Sequence, residues 1–96
     1  MIHILSKGNS IFNKFIAQIR DREVQRDSMR FRRNMERIGE VMSYEISRSL
    51  NYKTHVVETP LGEASIEMIS DKIVLATILR AGLPLHQGFL NYFDDA

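Results

Sequence analysis

The sequence predicts an α/β protein, and three features support this. An apolar run rich in β-branched residues, 73–79, is typical of a strand covered on both faces, as in a parallel sheet. A glycine-containing turn follows at 80–82, and Pro84 stands where a first helical residue would lie. Apolar residues further upstream recur at three- and four-residue steps, which indicates amphipathic helices. The last part of the chain is therefore predicted to be a strand, a tight loop and a helix.

Two helices are predicted near the amino terminus. Residues 1–7 are predicted to form a short extended arm, and a first helix follows the breaker cluster 8–10 and runs to about Arg20. A second, longer helix starts after a cap at Asp27 or Ser28. Gly39 lies inside this second helix at a cost of about 1 kcal/mol relative to alanine, which indicates close packing against another element.

A β-hairpin is predicted between the helices and the final unit. Two β-prone runs, 53–59 and 64–69, flank the turn Thr59-Pro60-Leu61-Gly62. Proline at the second position and glycine at the fourth suit a type I turn. A hairpin on two helices is too small to hold itself in place, so we expect it to reach across to a neighbouring subunit.

The strand, loop and helix together predict an anion site. In open α/β sheets, ligands bind beyond the carboxyl ends of the strands, and loop amides at the start of a helix favour anions. Arg80 would supply a planar fork of donors suited to phosphate or carboxylate oxygens, and Gly82 would allow close approach of the backbone. From spacing alone, a plain strand-to-helix turn with a solvated arginine is an equally good interpretation.

Composition indicates one small domain over residues 1–96. The chain is 44% apolar and 26% charged with a net charge of +1, so charge alone suggests neither a nucleic-acid nor a membrane partner. It has no cysteine, which excludes disulfides and thiolate metal sites. No apolar run approaches about 18 residues, and the first residues are a poor secretory signal. A cytoplasmic protein is predicted.

The histidines do not suggest a metal centre. His3, His55 and His86 lie far apart and have no ligand-like spacing, so neither a metal site nor a catalytic residue is predicted. His86 follows Arg80 in the first turns of the predicted helix, where a neutral imidazole could touch a bound phosphate. A partly exposed helical residue is the interpretation we favour.

An arginine-rich stretch offers a different hypothesis. Residues 20–37 contain seven arginines and four acidic residues. One interpretation is a small nucleic-acid-binding or structural interaction module. The other is a solvated face on which acidic neighbours are interleaved at helical spacing, as with Arg33, Glu36 and Arg37. We favour the solvated face because the charges are mixed, and we predict no nucleic-acid partner.

The residues around the loop resemble a known family. Ile78-Leu79-Arg80-Ala81-Gly82-Leu83 is similar to the ILRAGL signature of uracil phosphoribosyltransferases, and Glu58-Thr59-Pro60-Leu61-Gly62-Glu63 is similar to the ETPLGE turn of that family. Further matches fall in the family's order at Phe31-Arg32, Ile38-Gly39 and Tyr44-Glu45. With gaps, the resemblance runs from about Ile16 to Phe93.

The resemblance implies a partial type I phosphoribosyltransferase core and a role in pyrimidine salvage. Such an enzyme transfers the phosphoribosyl group of 5-phosphoribosyl 1-pyrophosphate to uracil, giving UMP and pyrophosphate. Arg80, assisted by the amides of Ala81 and Gly82, would contact the pyrophosphate, and the Arg80–Ala81 peptide could be cis. The resemblance also implies Mg²⁺ with ligands outside this chain, and a dimer formed through the hairpin arm and helices.

The resemblance covers only the first half of the family's pattern. The acidic DPMLATG-type loop for the ribose phosphate and the glycine-rich segment for uracil are absent from the sequence. Thr77 stands where many members have proline, and 84–88 replaces a GMVDG-like run. We therefore expect the amino-terminal portion of a longer enzyme, inactive alone. Its exposed apolar strand edges should favour association or aggregation.

Overall fold

The computed structural model describes residues 2–96 as three α-helices and a two-stranded antiparallel sheet. The elements are α1 (Phe12–Arg20), α2 (Ser28–Ser47), β1 (Tyr52–Thr59), β2 (Gly62–Ile69) and α3 (Leu83–Tyr92). The predicted α/β class, both amino-terminal helices, the hairpin and the final helix are confirmed. Within the predicted amino-terminal arm, Leu5–Lys7 forms a 3₁₀ turn, and Met1 lies outside the described residues.

A side-chain cap begins α2, and a buried amide joins α2 to α1. The Asp27 carboxylate accepts a hydrogen bond from the Arg30 backbone N–H at 3.0 Å, which makes Asp27 the cap of α2. Asn34 is fully buried, and its side-chain amide donates to Gln18 Oε1 at 2.8 Å. The Asn34 carbonyl oxygen accepts from Arg37 at 3.1 Å. Burial of this amide is tolerated because both of its ends are hydrogen bonded.

Two glycines bring α2 and α3 into backbone contact. A Cβ atom on Gly39 would lie 2.6 Å from the Leu85 carbonyl oxygen and 3.0 Å from the Cα of Gly88. A Cβ atom on Gly88 would collide with the Glu36 carbonyl oxygen. The predicted close packing at Gly39 is confirmed. Because α3 follows the loop at 79–82 directly, this crossing also sets where the loop lies relative to α2.

The hairpin stands away from the helices. Its strands pair from Tyr52 with Ile69 to Thr59 with Gly62. Pro60 and Leu61 between them both have negative φ, as a type I turn requires, and Gly62 adopts a φ of +127° that favours glycine. Every residue of the two strands except Ile69 is exposed. The hairpin therefore buries no core of its own within residues 2–96.

One carboxylate closes the base of the hairpin. The backbone N–H of Asn51 donates to Asp71 Oδ2 at 2.8 Å, and the Asn51 side chain donates to Oδ1 at 3.1 Å. The Ser70 N–H donates to the Asn51 carbonyl oxygen at 2.9 Å. The backbone hydrogen bond from Asn51, followed by the side-chain bond, lowers the pKa of Asp71 below its ordinary value of 3.8.

Low pH should break the hydrogen bonds between Asn51 and Asp71 that close the foot of the hairpin. Because the pKa of Asp71 is lowered in the folded chain, its stabilisation is present above the ordinary carboxyl pKa and is lost as pH falls through the lowered value. We expect the hydrogen-exchange protection factor of the Asn51 N–H to fall below about pH 4, and to be reduced at neutral pH in Asp71→Ala. The matched control is Asp94→Ala. Equal protection of Asn51 in Asp71→Ala and the unmodified chain would contradict this assignment.

The structure differs from the prediction most clearly at 73–79. This segment forms no strand, because the described part of the chain offers it no partner strand and the hairpin strands pair with each other. Burial alternates only over 73–76, where Ile73 and Leu75 are half-buried and Val74 is 81% exposed, and every residue from 76 to 79 is exposed. The predicted strand and its predicted burial on both faces are therefore wrong for these residues, and the side chains of Val74, Ile78 and Leu79 are exposed. No helix within residues 2–96 combines the length and apolar character needed to cross a membrane.

A candidate anion-binding loop before helix α3

Residues 79–82 form a continuous turn that leads directly into α3. Pro84 is the second residue of the helix, where its missing N–H costs no hydrogen bond. Three backbone hydrogen bonds close the turn: Gly82 N–H to Ile78 O at 3.1 Å, Leu83 N–H to Arg80 O at 3.1 Å and His86 N–H to Gly82 O at 2.9 Å. The turn is thus held by its own backbone and by the start of the helix.

Gly82 is required in this turn for steric reasons. Its φ of −77° and ψ of −8° are open to any residue. A Cβ atom at this position, however, would collide with Thr77 Oγ1 and would lie 2.8 Å from the Ile78 carbonyl oxygen. The absence of a side chain therefore lets the turn fold back onto the end of the extended segment.

The predicted site residues lie together in this turn but differ in what they offer a ligand. Arg80 is exposed and forms no ion pair within residues 2–96. The N–H of Ala81 likewise has no partner among the described residues, whereas the N–H of Gly82 is already bonded to Ile78. Arg80 and Ala81 are consequently the donors available to an anion, and Gly82 contributes by leaving the backbone accessible.

The non-proline cis peptide lies between Leu79 and Arg80. The resemblance implied that the Arg80–Ala81 bond could be cis, so the position was wrong by one residue. The sequence around the bond contains no proline that would have located it.

A cavity of about 280 Å³ lies beside the turn. Its polar lining residues are Thr77 and His86, and Gly82 belongs to both the cavity wall and the turn. The remaining lining residues are apolar: Val74, Leu75, Ala76, Leu85 and Phe89. No carboxylate lines this cavity, so an anion bound there would meet no direct repulsion from its walls.

The described residues do not form a metal centre of their own. Residues 2–96 contain no group of three or more histidine and carboxylate side chains that could hold a metal ion. The Mg²⁺ implied by the resemblance is therefore assigned no ligand set among these residues.

The arginine-rich stretch has the mixed charge that its sequence predicted. Arg33 is paired with Glu36 at 2.9 Å, and hydrogen bonding to Glu36 raises the pKa of Arg33. Two weaker exposed pairs join Arg26 to Glu23 at 3.8 Å and Arg30 to Asp27 at 4.0 Å. The one aromatic residue within the stretch, Phe31, is 36% exposed. The charges are thus interleaved with acidic partners, although these exposed pairs contribute little to stability.

Comparison with known proteins identifies the family of the chain. A family model described as "Uracil phosphoribosyltransferase" matches residues 7–96. A protein of Porphyromonas gingivalis named "Uracil phosphoribosyltransferase" is 56% identical over 94 residues, which are 98% of this chain and 43% of that protein. A protein of the same name from Methanothermobacter thermautotrophicus is 41% identical over 92% of this chain and 41% of its own length. One from Pyrococcus furiosus is 32% identical over 86% of this chain and 36% of its own length.

The three relatives compared above share one name, which is also the description of the matching family model. The chain belongs to the uracil phosphoribosyltransferase family, as the ILRAGL and ETPLGE resemblances predicted. It spans less than half the length of the curated relatives that it matches.

Sequence reasoning missed two features of the site. It did not place Thr77 against Gly82. It also did not anticipate that the backbone N–H of Gly82 is already hydrogen bonded to the Ile78 carbonyl oxygen. The first depends on how the extended segment folds back over the turn, for which the sequence carries no local signal. The second could have been suspected, since a tight turn before a helix commonly closes with a backbone bond across four residues.

Proposed function

We propose that this chain supplies the pyrophosphate-binding part of a uracil phosphoribosyltransferase. The reaction would be the transfer of the phosphoribosyl group from 5-phosphoribosyl 1-pyrophosphate to uracil, giving UMP and pyrophosphate. The observation that carries the proposal is the closed turn 79–82, with Arg80 exposed and the Ala81 N–H unpaired among the described residues. Membership of the family and the names of the relatives support the substrate class.

The proposed mechanism is electrostatic stabilisation of the leaving group. As the bond from ribose to pyrophosphate breaks, negative charge grows on the pyrophosphate oxygens. Donors that are already oriented toward that charge lower the barrier without reorganisation. Arg80 would bind two oxygens with its planar guanidinium, the Ala81 N–H would bind a third, and Gly82 would let the ligand approach the backbone.

The other binding sites of the proposed enzyme would lie in the part of the relatives that this chain does not match. Binding of the ribose phosphate and of uracil is assigned to no residue described here. Mg²⁺ is likewise proposed without a ligand from this chain, and no step of the mechanism is assigned to it. The expectation that the 96 residues are inactive alone stays a prediction, as does the cytoplasmic location.

We also propose that the hairpin forms contacts between subunits of a dimer. Val56 is 63% exposed and Ile66 is 53% exposed, which is costly for apolar side chains on a free hairpin. A two-stranded hairpin with no core of its own is only marginally stable in water. Packing against a second subunit would remove these side chains from solvent.

A chimera tests the proposed reaction. In it, this chain replaces the 94-residue stretch of the Porphyromonas gingivalis relative that it matches. We expect the chimera to form UMP from uracil and 5-phosphoribosyl 1-pyrophosphate at a rate comparable with that of the unmodified relative. The isolated 96-residue chain, assayed in parallel, should form no UMP. A folded chimera that forms no UMP would contradict the proposal.

A further inference from the structure

The two faces of the hairpin differ in charge. Residues that pair across two antiparallel strands share a face, and successive residues of one strand alternate between the faces. Glu58 is paired directly with Glu63, and Glu67 lies four residues further along the second strand, on the same face. The basic side chains of the hairpin, Lys53 and His55, belong to the other face. One face of the hairpin is therefore acidic and has no basic residue of its own.

The end of this acidic face carries two carboxylates with no cation beside them. Like charges directly opposite each other destabilise a pair of strands. Glu58 and Glu63 are both exposed, and neither forms an ion pair within residues 2–96. Val56 lies on the same face and is 63% exposed. These three residues, called the acidic tip below, would be stabilised by a partner that is cationic and partly apolar.

A groove on the amino-terminal half of α2 has the opposite charge. This cavity of about 180 Å³, called the arginine groove below, is lined by Arg30, Arg33, Arg37, Met29 and Asp27. The Arg37 guanidinium donates to the fully buried Asn34 at 3.1 Å and lies 5.5 Å from the centre of the Phe15 ring. Arg30 reaches a carboxylate only at 4.0 Å. Arg37 is thus already oriented, and an oriented guanidinium loses less side-chain entropy when it binds a carboxylate.

The hairpin does not reach the arginine groove of its own chain. Strand β1 begins at Tyr52, just beyond the end of α2 at Ser47. Arg30 lies about 25 Å back along the helix axis from that end, and the hairpin stands away from the helices. A second copy is not restricted in this way. Two copies related by a twofold axis would each place a hairpin on the other's groove, so that every contact occurs twice.

We propose that the acidic tip of the hairpin docks in the arginine groove of a second copy of this chain, where Arg30 and Arg37 pair with Glu58 and Glu63. The inference rests on the proposed dimer and assigns the surface that receives the hairpin. The two arginines lie two helical turns apart, about 10 Å along the axis, and their long side chains can converge on carboxylates about 5 Å apart. The exposed apolar side chain of each surface would be covered in the same contact.

Charge reversal on each surface tests this pairing in the intact 96-residue chain. Dimer dissociation constants are measured by analytical ultracentrifugation. Glu58→Lys with Glu63→Lys, and in a separate chain Arg30→Glu with Arg37→Glu, should each weaken the dimer by about 100-fold, because both copies of the contact become repulsive. An equimolar mixture of the two reversed chains should form a heterodimer, since one contact keeps its native charges and the other has both signs exchanged. Damage to the fold of either chain would not produce that recovery.

Arg20→Glu with Arg22→Glu is the matched control. It changes the net charge by the same amount as Arg30→Glu with Arg37→Glu, on exposed arginines outside the arginine groove. Its dissociation constant should stay close to that of the unmodified chain. A mixture that associates no more strongly than either reversed chain alone would overturn the inference, and so would an equal loss of dimer in the control.

Ile66→Asp separates this inference from the proposed dimer, because Ile66 lies on the opposite face of the hairpin and is 53% exposed. If Ile66→Asp dissociates the dimer while both charge reversals leave it intact, the hairpin forms the dimer but the arginine groove does not receive it. If the unmodified chain is monomeric at every concentration tested, the proposed dimer and the inference both fail. If reversal of Arg30 and Arg37 abolishes binding of a single-stranded oligonucleotide and leaves the dimer intact, the groove takes nucleic acid and the inference fails. The role of the turn 79–82 is tested separately by the chimera.

Discussion

In the chimera with the Porphyromonas gingivalis relative, Arg80→Ala should lower kcat/KM for 5-phosphoribosyl 1-pyrophosphate by about 100- to 1,000-fold, the usual cost of removing a donor to a developing negative charge. Arg80 is exposed and makes no ion pair within residues 2–96, so its loss should leave the fold intact. The effect should therefore come from the ligand alone. Steady-state rates of UMP formation at varied donor concentration measure it.

Two further variants make the Arg80 result interpretable. Arg80→Lys keeps the charge but loses the planar fork of donors, so we expect an activity between those of Arg80→Ala and the unmodified chimera. Arg22→Ala is the matched control, since it removes an exposed arginine far from the loop in sequence. Kinetics of Arg80→Ala equal to those of Arg22→Ala would remove the assigned role of Arg80.

The second large effect is expected at the contact between α2 and α3. Gly88→Ala should destabilise the chain by about 1–3 kcal/mol, because the added methyl group meets backbone atoms of Glu36 and Gly39 that cannot rotate away. Alanine ordinarily stabilises a helix interior by about 1 kcal/mol relative to glycine, so the sign of the change is informative. Urea denaturation followed by circular dichroism measures the free energy of unfolding.

Gly8→Ala provides the control for this substitution. No atom lies within 4 Å of a Cβ built on Gly8, and its φ of −87° is open to alanine. We expect the free energy of unfolding of Gly8→Ala to stay close to that of the unmodified chain. A Gly88→Ala chain as stable as Gly8→Ala would show that the two helices do not approach as closely as described.

Local signals predicted the helices, the turn and the hairpin well. Asp27 caps α2 through its own side chain, and Pro60 with Gly62 sets the hairpin turn, so each of these features is determined by neighbouring residues. Gly39 indicated a close contact because glycine in a helix interior is costly. Its partner Gly88 could not be predicted, because the contact depends on how α3 returns to α2.

The stretch 73–79 shows where local signals fail. Its β-branched residues favour an extended chain, and burial alternates over its first four residues, 73–76. A strand also needs hydrogen bonds from a neighbouring strand. The residues of the segment itself cannot predict whether such a neighbour is present. The same limit applies to the site. Arg80 could be identified from its motif, whereas the cavity lined by Thr77, Gly82 and His86 depends on how the extended segment packs against the turn and α3.

A crystal structure of the chimera with bound pyrophosphate tests the central claim most directly. The account predicts pyrophosphate oxygens at about 2.7–3.2 Å from the Arg80 guanidinium and from the Ala81 backbone nitrogen, the range of hydrogen bonds. Pyrophosphate bound elsewhere in a folded chimera, with the Arg80 side chain directed away from it, would contradict the claim that this turn receives the leaving group.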